Sequence, residues 1–444
     1  MSEPSAHPRD RLRRELSLRD SVFLVVASVV GSGIFLTPGA IADRLPHPGL
    51  ILAIWVVGGL LSLAGALANA ELGAMFPRAG GDYVYLREAF HPLAGFLVGW
   101  LSFVSIFAGT VATLGVGFGE ALAAFVGWPA ELAVPIGVAV IVASSVLNYV
   151  GVRAGVWANN ITAWIKVVAL VLFGLVAPFS ASGDLANLQP LVRGALDAAP
   201  PLAFVLALSP VLFSYLGWNA TVYVASEIRE PGRNVPLSLF LGLALCTGIY
   251  LLLNAVYLYA LPVAELRGVA NAGEASASVL FGGLGGRLLG GFVLISILGT
   301  LNATVLVGPR IAYAMALDGL FTKGVDRVHE SYRTPGVAIV VQAGVAIGLV
   351  VLLESFPSAL DYTTFAIVLA TIADTAALYA LRVREPERVR PYRAWGYPWV
   401  PGLYLVANLA IALGLAIGRP QEAFYGALFL AAGLPVYALF RRAR

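Results

Sequence analysis

Twelve apolar runs of about 20 residues dominate this 444-residue chain. A hydrocarbon core of about 30 Å takes roughly 20 helical residues to cross, so runs of this length read as membrane spans. They cover approximately 20–43, 49–74, 93–120, 132–150, 158–180, 201–227, 236–262, 277–310, 335–354, 359–382, 398–418 and 422–440. Strands of a membrane barrel would instead alternate over about 10 residues. The chain is 59% hydrophobic and 12% charged, against about 25% charged in an ordinary soluble domain. The expected fold is therefore an all-α polytopic membrane protein with 12 transmembrane helices and no soluble domain. The first run lacks a small-residue cleavage site and reads as a retained span.

Loop charge sets the orientation. If the N-terminus is cytoplasmic, all but six of the 28 Lys and Arg fall on the inner side, from Arg9 at the start to Arg444 at the end. Arg44, Arg193, Arg267, Arg287 and Arg419 fall outside, and Lys166 lies within a span. Both termini are then cytoplasmic, in a multi-pass protein of the cell membrane. Topology and contact with anionic lipid account for the basic loops without nucleic acid. The single cysteine, Cys246, excludes an internal disulfide. The four histidines (His7, His47, His91, His329) fall in loops or tails, which leaves no metal cluster, and no other cofactor is implied.

Two spans are interrupted where a helix should be most regular. Val30-Gly31-Ser32-Gly33-Ile34-Phe35 breaks the first, and Phe213-Ser214-Tyr215-Leu216-Gly217-Trp218-Asn219 breaks the sixth. Glycines alone are equally explained by close helix packing. Polar groups beside glycine and large aromatics at mid-depth of the sixth span add a second signal, because an Asn or Ser exposed there costs free energy. Backbone that unwinds in a membrane needs a cavity or a ligand, and in secondary transporters the ligand is the substrate. Spans one and six hold the same place in two halves of five, which suggests a 5+5 inverted repeat with discontinuous helices 1 and 6. The expected layout is a tail at 1–19, a core at 20–382 whose repeats are 20–180 and 201–382, added helices at 398–440, and a tail at 441–444. The N-H groups of Ser32, Gly33 and Ile34 suit a carboxylate. Carbonyls at Val29, Val30, Phe213 and Ser214 suit an ammonium, so a zwitterionic amino acid matches both.

Further motifs are Pro77-Arg78-Ala79-Gly80-Gly81, Glu227 with Arg229, Pro231, Arg233-Asn234 and Pro236, Gly299 with Asn302, and Arg310 through Gly319. With the two breaks, they make the chain resemble the amino acid-polyamine-organocation superfamily over essentially its whole length. Within it, the chain is similar to the L-type amino acid transporters and their bacterial relatives. The resemblance implies the leucine-transporter-like fold. It makes Phe213 an aromatic gate over the substrate, has Gly217 leave room for the substrate side chain, and has Asn219 hydrogen-bond near the site, with Leu216 in the same segment. It makes Lys166 a built-in replacement for the sodium that some relatives bind between spans one and eight. Tyr250, with Asn254, would link the lysine region to the site. Tyr215 and Trp218 are weaker candidates as ligands.

Lys166 lies roughly 12 Å into its span at 1.5 Å per residue, where a cation needs partners or must snorkel to the interface. Asp374 in span ten reads either as a proton-coupling group or as a helix-helix hydrogen-bonding partner. Glu227 with Arg229 and Arg233 reads as an inner-face ion-pair network. Spans one, three, six and eight place no Asp or Glu at pocket depth, which favours neutral side chains on the substrate.

The expected function is sodium-independent amino acid transport by alternating access, as an exchanger or a proton-coupled permease. Alternatives are a transporter of cationic amino acids or polyamines, and a non-transporting amino acid sensor. No nucleophile with base and orienting group, no metal-ligand spacing and no ATP-binding loop supports an enzyme. The expected partners are the amino acid and membrane lipids. The loop at 120–131 has no cysteine for the disulfide that eukaryotic members make to a partner, which excludes that covalent link; a monomer and a homodimer both stay open.

Overall fold

A computed structural model describes residues 10–353, 356–418 and 420–442. Arg9, Arg419, Arg444 and His7 lie outside the described residues. The first expected span is three helices, α1 (Leu18–Val29), α2 (Gly33–Leu36) and α3 (Pro38–Arg44). Ser17 caps α1, its hydroxyl accepting from the Asp20 N-H while the Asp20 carboxylate accepts from the Ser17 N-H. This reciprocal box satisfies two donors that a helix start leaves open. α1 ends where Val30 leaves helical geometry at ψ 83°.

α4 (Pro48–Met75) leads through a glycine-containing loop to the short α5 (Asp82–Ala89). α6 (Pro92–Leu101) passes through a π-helical stretch, Ser102–Ala108, into α7 (Gly109–Val126). α7 runs beyond the expected end at 120, so the loop after it is shorter than the sequence suggests. α8 (Ala133–Tyr149), α9 (Val152–Val176) and the short α10 (Ala195–Ala198) follow. The sixth span is also broken. α11 (Pro201–Ser214) stops, and α12 (Ala220–Tyr223) resumes after a turn. Then come α13 (Pro231–Ala260), α14 (Val263–Leu266), α15 (Ala272–Val307), α16 (Pro309–Leu317), α17 (Gly336–Leu353), α18 (Phe356–Arg384), α19 (Trp399–Gly418) and α20 (Pro420–Arg442).

No strand occurs among the described residues; two isolated bridges, Leu16 with Ile228 and Ala79 with Val224, tie loops together. Among the described residues, eight helical stretches are long and apolar enough to cross a membrane, and three shorter apolar helices, Pro201–Ser214, Gly336–Val351 and Trp399–Gly414, accompany them. The chain is thus an all-helical, multi-pass membrane protein. α1 lies at its centre, packed on α9, α13 and α15, while α13 packs on α4 and α7 on α8, α15 and α18. α8 and α9 leave Val146, Trp157, Leu172 and Leu175 exposed, as lipid-facing surfaces require.

The inner-face charges pair differently from the expected scheme. Glu227 is buried and accepts from Arg310 Nε at 2.7 Å and Nη2 at 3.1 Å, whereas Arg233 pairs with Glu230 at the surface. Neither Arg229 nor Arg233 reaches Glu227, because the helix starting at Pro231 carries Arg233 outward. Glu71, fully buried, accepts from Arg382 at 2.7 Å, Arg390 at 3.1 Å and the Ala394 N-H at 2.6 Å.

Candidate functional site: two broken helices around a central pocket

The two breaks meet. A Cβ on Gly33 would lie 2.8 Å from Ser214 Cα, and a Cβ on Gly217 would lie 2.9 Å from the Ser28 carbonyl oxygen. Each glycine therefore permits the other break to approach. Gly217 also holds φ at +95°, a geometry that costs a side-chain-bearing residue free energy.

A cavity of about 130 Å³ opens between them. Of the residues read from the sequence, Val29, Gly31, Ser32, Gly33, Phe213, Ser214, Leu216, Gly217 and Asn219 line it, and Val30 and Ile34 do not. The N-H groups of Ser32, Gly33 and Ile34 reach no backbone acceptor among the described residues. They are left at the start of α2, on the positive end of its backbone dipoles.

The carbonyls differ from the expectation. Val30 O accepts from Lys166 Nζ at 2.7 Å and from Ser296 Oγ at 3.1 Å. Val29 O accepts from the Gly31 N-H at 2.8 Å and from the Tyr250 hydroxyl at 2.8 Å, and that hydroxyl also lies 2.7 Å from Ser214 O. Phe213 O accepts from the Leu216 N-H at 3.1 Å. These oxygens are occupied by the protein itself. Ser28, a pocket residue, has a carbonyl oxygen that no donor reaches among the described residues, because its usual partner, the Ser32 N-H, has been carried away by the break.

Lys166 is fully buried, so it does not snorkel. Its ammonium binds Ala27 O at 3.0 Å, Val30 O at 2.7 Å and Thr300 Oγ1 at 2.9 Å, which uses its three donors. Tyr250 joins the two breaks through Val29 O and Ser214 O, and the Asn254 amide donates to Tyr250 O at 2.8 Å one turn away. Tyr215 turns from the pocket and donates to Trp55 O at 3.0 Å, while Trp218 packs against Tyr404. Phe213 is half-buried and faces both this cavity and a smaller one toward α19.

Several lining residues carry no mark in the sequence. Thr110, Thr113, Thr300, Thr304 and Thr371 line the wall, the hydroxyls of the last four bonded to backbone carbonyls, and Ile106 and Phe107 enter through the π-helical stretch. Pairs of threonines three or four residues apart on one helix face were the available signal. Asp82 also lines the cavity. It arrives from α5, a short helix outside the spans surveyed for acidic residues, so the pocket does contain a carboxyl group. Asp374 is fully buried and faces Asp82 and Asn69. Among the described residues no group of three or more His, Cys, Asp or Glu suits a metal ion.

A membrane-spanning bundle with two broken helices enclosing a small pocket defines a secondary transporter. The chain belongs to the amino acid permease family, whose model matches residues 16–438, and it is a transporter and not an enzyme. It is 31% identical to the serine/threonine exchanger SteT of Bacillus subtilis over 97% of this chain and 98% of that one. It is 30% identical to the human b(0,+)-type amino acid transporter 1, covering 97% of this chain and 88% of the relative. The mouse Asc-type amino acid transporter 1 is 28% identical, covering 98% and 82%.

Proposed function

We propose that the protein exchanges small neutral amino acids across the cell membrane by alternating access, without sodium. The observation that carries this reading is the trio of N-H groups at Ser32, Gly33 and Ile34, which find no acceptor among the described residues and lie in the break beside the cavity. They take the substrate carboxylate, through the backbone of Ile34 as its side chain lies in the core. The Ser28 carbonyl, and not those of Val29 or Val30, takes the ammonium. Phe213 closes over the ligand, and Gly217, Leu216 and Asn219 bound its side chain. A water needs about 10–15 Å³ of such space, so a cavity of about 130 Å³ suits a ligand of roughly ten non-hydrogen atoms.

Lys166 supports sodium independence. Its ammonium occupies the carbonyl and hydroxyl oxygens that a monovalent cation between α1 and α15 would need, and Tyr250 holds the adjoining break. The corresponding breaks in spans one and six support twelve spans in two inverted repeats of five, 20–180 and 201–382, with 398–440 added. Loop charge supports cytoplasmic termini. With a single buried cysteine, no disulfide-linked partner is proposed, and the unit is a monomer or homodimer. The relatives' names, one a serine/threonine exchanger and others amino acid transporters, support exchange and a small substrate.

Asp82 in the wall favours a second reading, in which a cationic amino acid or polyamine is carried. Counterflow into liposomes containing the purified protein decides between them: internal serine, threonine or alanine accelerates uptake of the labelled amino acid, while lysine and spermidine do not. Saturable binding without any flux would make the protein a sensor.

A further inference from the structure

The exchange of neutral amino acids described above leaves the Asp82 and Asp374 carboxyls unused. Asp82 starts α5 and Asp374 lies within α18, and both side chains are buried, 1% and 0% exposed. They face each other. The Tyr223 hydroxyl donates to Asp82 Oδ2 at 2.6 Å and the Ser102 hydroxyl at 3.1 Å. Asp82 Oδ1 and both oxygens of Asp374 have no donor at full hydrogen-bond geometry among the described residues. Asn69, fully buried on α4, is the side-chain amide set to donate to Asp374.

Among the described residues no Lys, Arg or His acts on the pair. The basic residues at this end of the molecule are engaged elsewhere, Arg382 and Arg390 with Glu71, Arg310 with Glu227 and Arg87 with Asp318. The other titratable groups that face the pair are phenols, Tyr85 on α5, Tyr223 on α12 and Tyr404 on α19, uncharged at neutral pH. α5 packs on α18, and two ionised carboxylates that act on each other out of water repel and lose their hydration. One proton removes the repulsion and supplies the missing donor, giving a short O-H···O⁻ bond. Aspartic-protease dyads show the same chemistry.

The pair is also wired to the substrate site. The Asn219 amide donates to the Tyr223 hydroxyl oxygen at 3.2 Å, and that hydroxyl donates to Asp82. A ligand that draws Asn219 toward itself alters the donor that Asp82 sees.

We propose that Asp82 and Asp374 form a proton-binding site that holds one shared proton while the pocket is closed and releases it as α5 and α18 separate. The step is one protonation, a carboxylate taking up H⁺ on closure and returning it on opening, with no other bond changed. It makes proton movement part of the transport cycle, and in that respect it rests on the transport reading above.

Infrared spectroscopy of the purified full-length protein tests the site without transport. The wild type shows the carbonyl stretch of a protonated, buried carboxyl at neutral pH, and Asp374→Asn loses it. Tyr223→Phe, which keeps both carboxyls, shifts the band without removing it and covers the case in which the Asp374 variant does not fold. In liposomes enclosing a pH-sensitive dye, wild-type amino acid flux changes the internal pH, and Asp374→Asn binds substrate without moving protons. A wild type without the band, a band unaltered in both variants, or flux with constant internal pH or accompanying sodium movement overturns the proposal. Absence of all amino acid flux overturns the transport reading instead, and the infrared band still decides the site.

Discussion

The Lys166 ammonium lies 2.7 Å from the Val30 carbonyl oxygen, fully buried, at the point where the first span stops being a helix. A break that exposes carbonyls in a membrane needs a cation or donor there, and this chain supplies one covalently. Replacing Lys166 with Ala takes one donor each from Ala27 O and Val30 O, leaving them the hydroxyls of Thr300 and Ser296, and loss of a hydrogen bond to a charged group costs about 1.5–3 kcal/mol. The variant therefore melts at lower temperature in detergent and loses most of its flux. Thermal denaturation and counterflow measured together check this, and unchanged melting would remove the lysine's supporting role.

Gly299 faces the same lysine. A Cβ there would sit 2.9 Å from Lys166 Cε and from Thr162 Cβ, so Gly299→Ala pushes the ammonium off its oxygens. The expected overpacking cost is about 1–3 kcal/mol, and a loss of flux resembling that of the lysine variant is the expected outcome in counterflow. Wild-type flux would show that the ammonium tolerates displacement.

Gly33→Ala and Gly217→Ala wedge the two breaks apart, against Ser214 Cα and the Ser28 carbonyl respectively. Phe213→Ala opens the pocket without touching the backbone. All three abolish or severely reduce transport, and Phe213→Ala elutes as a folded species by size exclusion. Wild-type flux in both Gly33→Ala and Phe213→Ala would put the substrate elsewhere.

The buried pair of Glu227 and Arg310 gives a stability test. Glu227→Gln leaves the Arg310 guanidinium buried without its counter-charge, and breaking such a pair costs about 3–5 kcal/mol. The expected drop in melting temperature is larger than for Arg233→Ala, whose partner Glu230 is exposed and whose loss is worth about 0–1 kcal/mol. Equal effects would show that the Arg310 pair does not carry the inner face.

Much of this was legible in the chain because membrane physics leaves few choices. Long apolar runs must be helices, and glycine with polar residues at mid-depth must face something other than lipid, which made 30–35 and 213–219 stand out. The lysine was equally visible, since a cation at that depth demands oxygens. What could not be read was which oxygens it would take. Assigning Val29 and Val30 to the substrate ignored Lys166, Ser296 and Tyr250, which arrive from other helices and claim those carbonyls first. Asp82 escaped notice because it lies in a short helix between spans, where a carboxylate looks solvated. The threonines hid for a different reason: their spacing of three or four residues marks one helix face without saying what that face meets, and Thr113 and Thr304 bond their own helix at Gly109 O and Thr300 O.

The most direct measurement is uptake of labelled serine by liposomes preloaded with amino acid, in buffers free of sodium, for the wild type and Lys166→Ala. Saturable wild-type uptake that is unaffected by adding sodium, and is lost in the variant, is the expected result. Uptake by the wild type only when sodium is present would contradict a cation site filled by Lys166.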